Sequence, residues 1–164
     1  MHFQAPIFQT TWQSPLGLML IAASNVGLVG AWFADQKHFP DRSGWQDQPD
    51  HPMLNQALQA LKAYFAGEKK RPEIELDLRS GTEFQQSVWR ALLTIPWGAS
   101  MSYGQLATTV GRPSAVRAVG AAVGRNPLSI LVPCHRVLGA DGSLTGYAGG
   151  LQRKTALLQL EGRL

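Results

Sequence analysis

Apolar residues gather in two short runs near the start of the chain, Leu18-Met19-Leu20-Ile21-Ala22 and Leu28-Val29-Gly30-Ala31-Trp32-Phe33. Short continuous runs of this kind suit strands buried in a sheet, and Ser24-Asn25-Val26-Gly27 between them supplies turn residues. The pair predicts a β-hairpin. Residues 35–52 are rich in Asp, Gln, Pro and Gly and predict a loop. Leu54, Ala57, Leu58, Leu61, Tyr64 and Phe65 then recur at helical spacing, and Gly67 is placed to stop that helix. Ile74-Glu75-Leu76-Asp77-Leu78 alternates apolar with charged and predicts a strand.

After residue 80 the pattern becomes one of short helices. Thr82 is placed to cap a helix holding Phe84, Val88, Trp89, Leu92 and Leu93, and Pro96-Trp97-Gly98 ends it. Ser102 to Val110 predicts a second helix, closed by Gly111-Arg112-Pro113. Ser114 is placed to cap a third, AVRAVGAAVG, which ends near Gly124. Two short helices joined by a Gly-containing turn make the helix-turn-helix pattern, which any small helical domain can also show. The third helix lacks bulk: Ala115, Ala118, Gly120, Ala121 and Ala122 surround Arg117. Gly inside a helix costs roughly 0.5–1 kcal/mol relative to Ala. Such residues serve either tight helix packing or close approach to a groove. Arg117 is correspondingly either a solvated charge or a cation carried into that groove.

The chain has 164 residues, enough for one ordinary domain or two small lobes, and the shift near residue 80 divides it into 1–79 and 80–164. Hydrophobic residues make up 45% and charged residues 16%, which excludes a disordered chain. A single cysteine excludes an intramolecular disulfide and a Cys-cluster zinc site. No apolar run approaches the roughly 20 residues of a membrane span. The N-terminal MHFQAPIFQT lacks the basic start and apolar stretch of a signal peptide. The expectation is a soluble, cytoplasmic protein with no membrane partner. The net charge of +4 is uneven, with a balance of −1 over residues 1–79 and +5 over 80–164. That asymmetry suits either a polyanion or a basic surface kept for solubility.

Candidate chemistry centres on Ser129-Ile130-Leu131-Val132-Pro133-Cys134-His135-Arg136-Val137. A lone cysteine is commonly a small buried hydrophobe. Here an apolar run, strand or buried segment, delivers Cys134 to an edge, and the cationic neighbours His135 and Arg136 would lower its thiol pKa. Adjacent residues of an extended segment face opposite ways, so His135 need not touch the sulfur, and a bridging water serves as well.

Pro133-Cys134-His135-Arg136-Val137, then Gly146-Tyr147-Ala148-Gly149-Gly150-Leu151 and Leu157-Leu158-Gln159-Leu160-Glu161, resembles the O6-alkylguanine-DNA alkyltransferase family. These are the methylated-DNA–protein-cysteine methyltransferases. Phe84-Gln85-Gln86-Ser87-Val88-Trp89, Ser102-Tyr103-Gly104-Gln105-Leu106-Ala107 and Arg117-Ala118-Val119-Gly120 match as well, so the likeness runs over about residues 80–162. In the first half only Ser14-Pro15-Leu16-Gly17 and Tyr64-Phe65-Ala66-Gly67 resemble the family's first lobe.

The resemblance implies a two-lobed α/β (α+β) fold, with an N-terminal ribonuclease-H-like sheet lobe and a C-terminal helical, winged-helix-like DNA-binding lobe. It implies direct-reversal DNA repair, in which one alkyl group passes irreversibly from O6 of guanine, or O4 of thymine, to Cys134. His135 would act through a water, oriented by Glu161, and Tyr103 would contact the base and donate a proton. Asn126 would brace the turn before the active-site segment. Arg117 would fill the gap left by a base flipped out through the minor groove, with Ser102, Tyr103, Ala118, Ala121 and Arg125 along the DNA. Val137 would offer its carbonyl to the guanine amino group, and Pro133, Tyr147 and Ala148 would line the pocket. Ala148 stands where a serine is common. The implied partner is double-stranded DNA carrying the lesion, bound by a monomer with no cofactor and no metal. Members with a first-lobe zinc hold it partly by cysteines, of which this chain has none to spare, so no first-lobe zinc is expected, and no transcriptional role of the kind that members fused to a regulatory domain carry. The alternative is a non-reactive lesion-binding module that recruits other repair proteins. Related proteins of that kind carry Trp in place of the reactive Cys, so Cys134 argues against it.

Overall fold

The computed structural model describes residues 1–164 and divides into two units, Met1–Gly81 and Thr82–Leu164. The first is built on a four-stranded sheet: β1 (Phe8–Ser14), β2 (Gly17–Ala23), β3 (Leu28–Phe33) and β4 (Gln46–Asp47), in the order β3-β2-β1-β4. The expected hairpin is β2–β3, antiparallel, with Leu20 opposite Trp32 and Ile21 opposite Ala31. Its strands read as continuous apolar runs because both faces are covered. On the face of Leu20, Ala22 and Trp32 lie Phe3, Phe39 and Trp45. Helix α1 (Pro52–Phe65) buries Leu54, Ala57, Ala60, Leu61 and Tyr64, and its Phe65 meets Trp12 of β1 on the other face. Gly67, at φ +86°, follows the Ala66 cap and stops the helix as expected.

Strand β1 has no counterpart in the sequence reading, because its Gln, Thr and Ser residues mask the two aromatic positions, Phe8 and Trp12, that alternation would need. The expected loop 35–52 contains a two-residue strand: Gln46 and Asp47 pair in parallel with Phe8 and Gln9, and Gln9 Nε2 donates to Asp47 Oδ1 at 2.9 Å. The expected strand at 74–78 is corrected. Only Leu76 bridges to Leu28, through the bonds Leu28 N to Glu75 O and Asp77 N to Leu28 O, both 2.9 Å. Beyond the bridge Asp77 directs its carboxylate to Ser24 Oγ (2.6 Å) and to Arg79.

The second unit is helical: α2 (Glu83–Leu92), α3 (Tyr103–Thr109), α4 (Val116–Gly124) and α5 (Leu151–Leu160), with a small parallel pair of β5 (Met101–Ser102) and β6 (Val137–Leu138). Thr82 caps α2 as expected, and Ser102, expected as the first residue of the second helix, caps α3; each forms a reciprocal capping box with the glutamine three residues on. Such a cap is worth about 0.5–2 kcal/mol. Ser114 does not cap α4. The bond from Ala115 N to Arg112 O closes a turn that places Ala115 at the cap position, one residue after Ser114. Trp89 Nε1 of α2 donates to Ala122 O of α4 at 2.8 Å, within a core that includes Val88, Leu92, Leu106, Val119 and Leu157. No helix of the chain is long and apolar enough to cross a membrane.

Candidate active site

Helix α4 hands the chain to the cysteine through a buried turn rather than a strand. Arg125 caps the helix, and Asn126, 4% exposed, organises the turn beyond it. Its Oδ1 accepts from Leu128 N (3.0 Å), and its Nδ2 donates to Val132 O (2.8 Å) and Cys134 Sγ (3.0 Å). Ile130 within this turn has φ +74°, a conformation that is costly for a β-branched residue and that the surrounding bonds must hold in place. Cys134–Arg136 form one turn of 3-10 helix after Pro133. The extended segment expected from the sequence is therefore a turn.

His135, Arg136 and Glu161 come together here. His135 is fully buried, and its Nε2 lies 2.7 Å from Glu161 Oε1. Arg136 Nε donates to Glu161 Oε2 (2.8 Å) and its Nη2 to Oε1 (2.9 Å). Gly98 N–H reaches Oε2 at 3.4 Å. Burial pushes the Glu161 pKa up, but the bonds from His135 and Arg136 outweigh it and hold the pKa at about 2. Burial drives the His135 pKa down despite the carboxylate beside it. The pair is thus a neutral imidazole against an ionised carboxylate. A carboxylate can only accept, so Nε2 carries the proton and Nδ1 keeps the lone pair.

The thiol departs from the sequence expectation. Burial pushes the Cys134 pKa up, and the Asn126 hydrogen bond and the charge of Lys154 offset this only in part. The neighbouring cations do not win because His135 is neutral and Arg136 is committed to Glu161. At rest, Cys134 is a shielded thiol that ionises only when a base takes its proton.

Tyr103 opens α3, and its hydroxyl donates to Thr145 O at 3.1 Å; burial raises its pKa, so it stays protonated. Tyr147 has a buried hydroxyl, with its pKa pushed well up by burial and by nearby Cys134. Ala148 is half-buried, while Pro133 and Val137 are buried. Arg117, Ala118, Ala121 and Arg125 are all exposed, and at 3.6 residues per turn they share one face of α4. Val119, Ala122 and Val123 form its buried face. The small residues therefore serve both readings: Ala122 packs inward, Ala118 and Ala121 open outward, and Gly120 sits against the Tyr103 ring. Ser102 spends its hydroxyl oxygen on the α3 cap.

Lys154 and the Gly98 amide escaped the sequence reading, and Arg136, expected as a cation beside the thiol, instead holds Glu161. A signal for the first existed: Lys154 and Glu161 stand seven residues apart on the helical face that carries Leu157 and Leu158. No group of three or more His, Cys, Asp or Glu side chains is placed to hold a metal ion.

Fold and site define a class: a two-unit α/β protein whose helix-turn-helix leads directly into a buried thiol backed by a His–Glu pair. Comparison with known proteins is specific. Residues 83–163 match the DNA binding domain, and residues 7–78 the ribonuclease-like domain, of 6-O-methylguanine DNA methyltransferase. A methylated-DNA–protein-cysteine methyltransferase of Mycolicibacterium paratuberculosis is 52% identical over 93% of this chain and 91% of its own. One from Methanosarcina acetivorans is 45% identical over 95% and 99%. The crystal structure of Mycobacterium tuberculosis OGT in complex with DNA superposes with a TM-score of 0.89 at 49% identity, covering 94% of this chain and 93% of that one. The chain belongs to the 6-O-methylguanine DNA methyltransferase family.

Proposed function

We propose that this protein repairs DNA by taking an alkyl group from O6 of guanine, or O4 of thymine, onto Cys134, once per molecule. Residues 80–164 form the transferase domain and 1–79 its companion lobe. The observation that carries this reading is the junction of Cys134, held by Asn126 at 3.0 Å, with the His135–Glu161 pair at 2.7 Å.

The steps derive from the protonation states. His135 Nδ1 takes the Cys134 proton through a bridging water, while Glu161 stabilises the imidazolium that forms. The thiolate attacks the alkyl carbon, an S–C bond forms, and the C–O6 bond breaks with its electron pair going to guanine. Tyr103 supplies a proton to the departing base, and the proton taken from Cys134 restores the balance. The products are an S-alkyl cysteine and guanine. A thioether is stable in water, so the protein is consumed.

A stacked base hides O6, so the nucleotide must be flipped out at a cost of a few kcal/mol. The exposed face of α4 with Arg117, Ala118, Ala121 and Arg125 suits the minor groove, with Arg117 entering the stack. Ser102 and Tyr103 border that face from α3. Pro133, Val137, Tyr147 and Ala148 line the pocket, and Val137 O accepts the guanine amino group. Cys134→Ala tests the reading: it should bind O6-methylguanine duplex and accept no methyl group. Lesion-selective binding by the unaltered protein without transfer would favour the recruiting module.

A further inference from the structure

Lys154 is fully buried in the middle of α5, and the transfer chemistry gives it no part. Its ammonium donates to three backbone carbonyls: Val137 O, Thr145 O at 2.9 Å and Gly146 O at 3.1 Å. Burying an ammonium against neutral acceptors is expensive, and an apolar side chain would pack there at lower cost. The three carbonyls belong to two segments of the site. Val137 comes directly after the turn that carries Cys134, and Thr145–Gly146 lead into Tyr147. Thr145 O is shared, since it also accepts the Tyr103 hydroxyl at 3.1 Å.

We propose that Lys154 is a positioning residue that pins the 145–148 segment and the Val137 carbonyl around the pocket, and holds Thr145 O when Tyr103 turns its hydroxyl to the base. The proposal rests on the alkyl-transfer reading above. In the resting protein Tyr103 spends its proton on Thr145 O. To serve the base it must let go of that oxygen, and what then keeps the 145–146 backbone in place is the bond from Lys154 to the same oxygen, at 2.9 Å. Lys154 holds Thr145 O and Gly146 O together, so the segment keeps its anchor when Tyr103 turns. The same ammonium offsets part of the burial of the Cys134 thiolate as it forms. Loss of Lys154 therefore slows the chemical step while leaving the α4 face that meets DNA untouched.

The test is single-turnover methyl transfer from O6-methylguanine duplex, with the rate followed to saturation in DNA for the unaltered protein, Lys154→Met and Lys154→Arg. The expected result for Lys154→Met is a saturating rate down by at least about 10-fold, as for a displaced reacting group. The half-saturating DNA concentration should stay within about 2-fold. Lys154→Arg, which keeps a cation without the compact three-way donor, should recover part of the rate. A saturating rate for Lys154→Met equal to that of the unaltered protein overturns the proposal. So does a parallel loss of rate and affinity, which marks a strut. If Lys154→Met does not fold, the same split is read on Lys154→Arg, and failure of both to fold assigns Lys154 to stability alone. Absence of transfer by the unaltered protein overturns the alkyl-transfer reading itself, and this inference with it.

Discussion

Glu161 Oε1 lies 2.7 Å from His135 Nε2, with both side chains wholly shielded from water. The carboxylate is ionised and the imidazole is neutral, so the geometry fixes the tautomer and turns the basic nitrogen away from Glu161. Arg136 takes both carboxylate oxygens, which keeps Glu161 from rotating out of line.

Glu161→Gln therefore damages two properties at once. The amide cannot accept from both His135 and Arg136 on both of its arms, and the imidazole loses its orienting partner. The transfer rate should fall by about 100-fold, within the usual worth of general acid–base groups. Leaving Arg136 half-buried without its carboxylate should cost about 3–5 kcal/mol of stability. Stopped single-turnover kinetics and urea unfolding read the two separately. An unchanged rate would remove Glu161 from the chemistry.

The thiol carries a pH signature. Its pKa is raised, so the thiolate is scarce at neutral pH and grows as pH rises. Alkylation of Cys134 by iodoacetamide should be slower than that of free cysteine at pH 7.5 and should climb through the alkaline range. Asn126→Ala removes the donor to Sγ, raises the pKa further and shifts that climb to higher pH. Mass-resolved labelling kinetics check both, and a Cys134 faster than free cysteine at pH 7.5 would contradict the burial argument.

In the N-terminal unit, the Asp77 pKa is held at about 2 by the Arg79 and Ser24 bonds against the opposing effect of burial. A carboxylate with a depressed folded pKa contributes stability that is fully present above its unfolded value near 4 and is lost as pH falls toward 2. Glu161, also near 2, adds the same sign of dependence in the other unit. The urea midpoint should drop from pH 5 to pH 3, and Asp77→Asn should flatten part of that drop. Tryptophan fluorescence follows both units, through Trp12, Trp32 and Trp45 in the first and Trp89 and Trp97 in the second, and the comparison with Asp77→Asn isolates the part due to Asp77. Identical slopes for the two proteins would show that Asp77 is not linked to folding.

Gly120 offers a gain. A Cβ built there meets the Tyr103 ring at 3.7 Å, an ordinary contact, and the residue lies inside α4. Gly120→Ala should stabilise the protein by about 0.5–1 kcal/mol through helix propensity. Affinity for undamaged duplex should stay the same, since that position faces α3. A fall in thermal midpoint would show that Tyr103 cannot give way.

Arg117→Ala, at an exposed position, should change stability by less than about 0.5 kcal/mol. It should slow transfer from duplex DNA far more than from the free O6-methylguanine base. Equal slowing of both would argue against a role in holding the flipped state open.

Features carried by local chemistry could be read from the residues alone: the β2–β3 hairpin, α1 with its Gly67 stop, the Thr82 cap, and the stretch from Pro133 to Val137. Features that depend on distant partners could not. Strand β1 is too polar to announce itself, and its place in the sheet comes from pairing with β2, from Gly17 to Ala23. Residues 74–78 alternate like a strand but find only Leu28 to bridge. The thiol pKa reverses the sequence expectation because Arg136 is drawn to Glu161, twenty-five residues on. Lys154 finds its carbonyls only when the 145–146 segment folds over α5.

The decisive measurement is intact mass and then peptide mapping, after the protein is mixed with duplex DNA carrying one O6-methylguanine. A gain of one methyl group, confined to the peptide with Cys134 and matched by restored guanine in the DNA, is the expected result. An unchanged mass, with the lesion still in the DNA, would contradict alkyl transfer to Cys134.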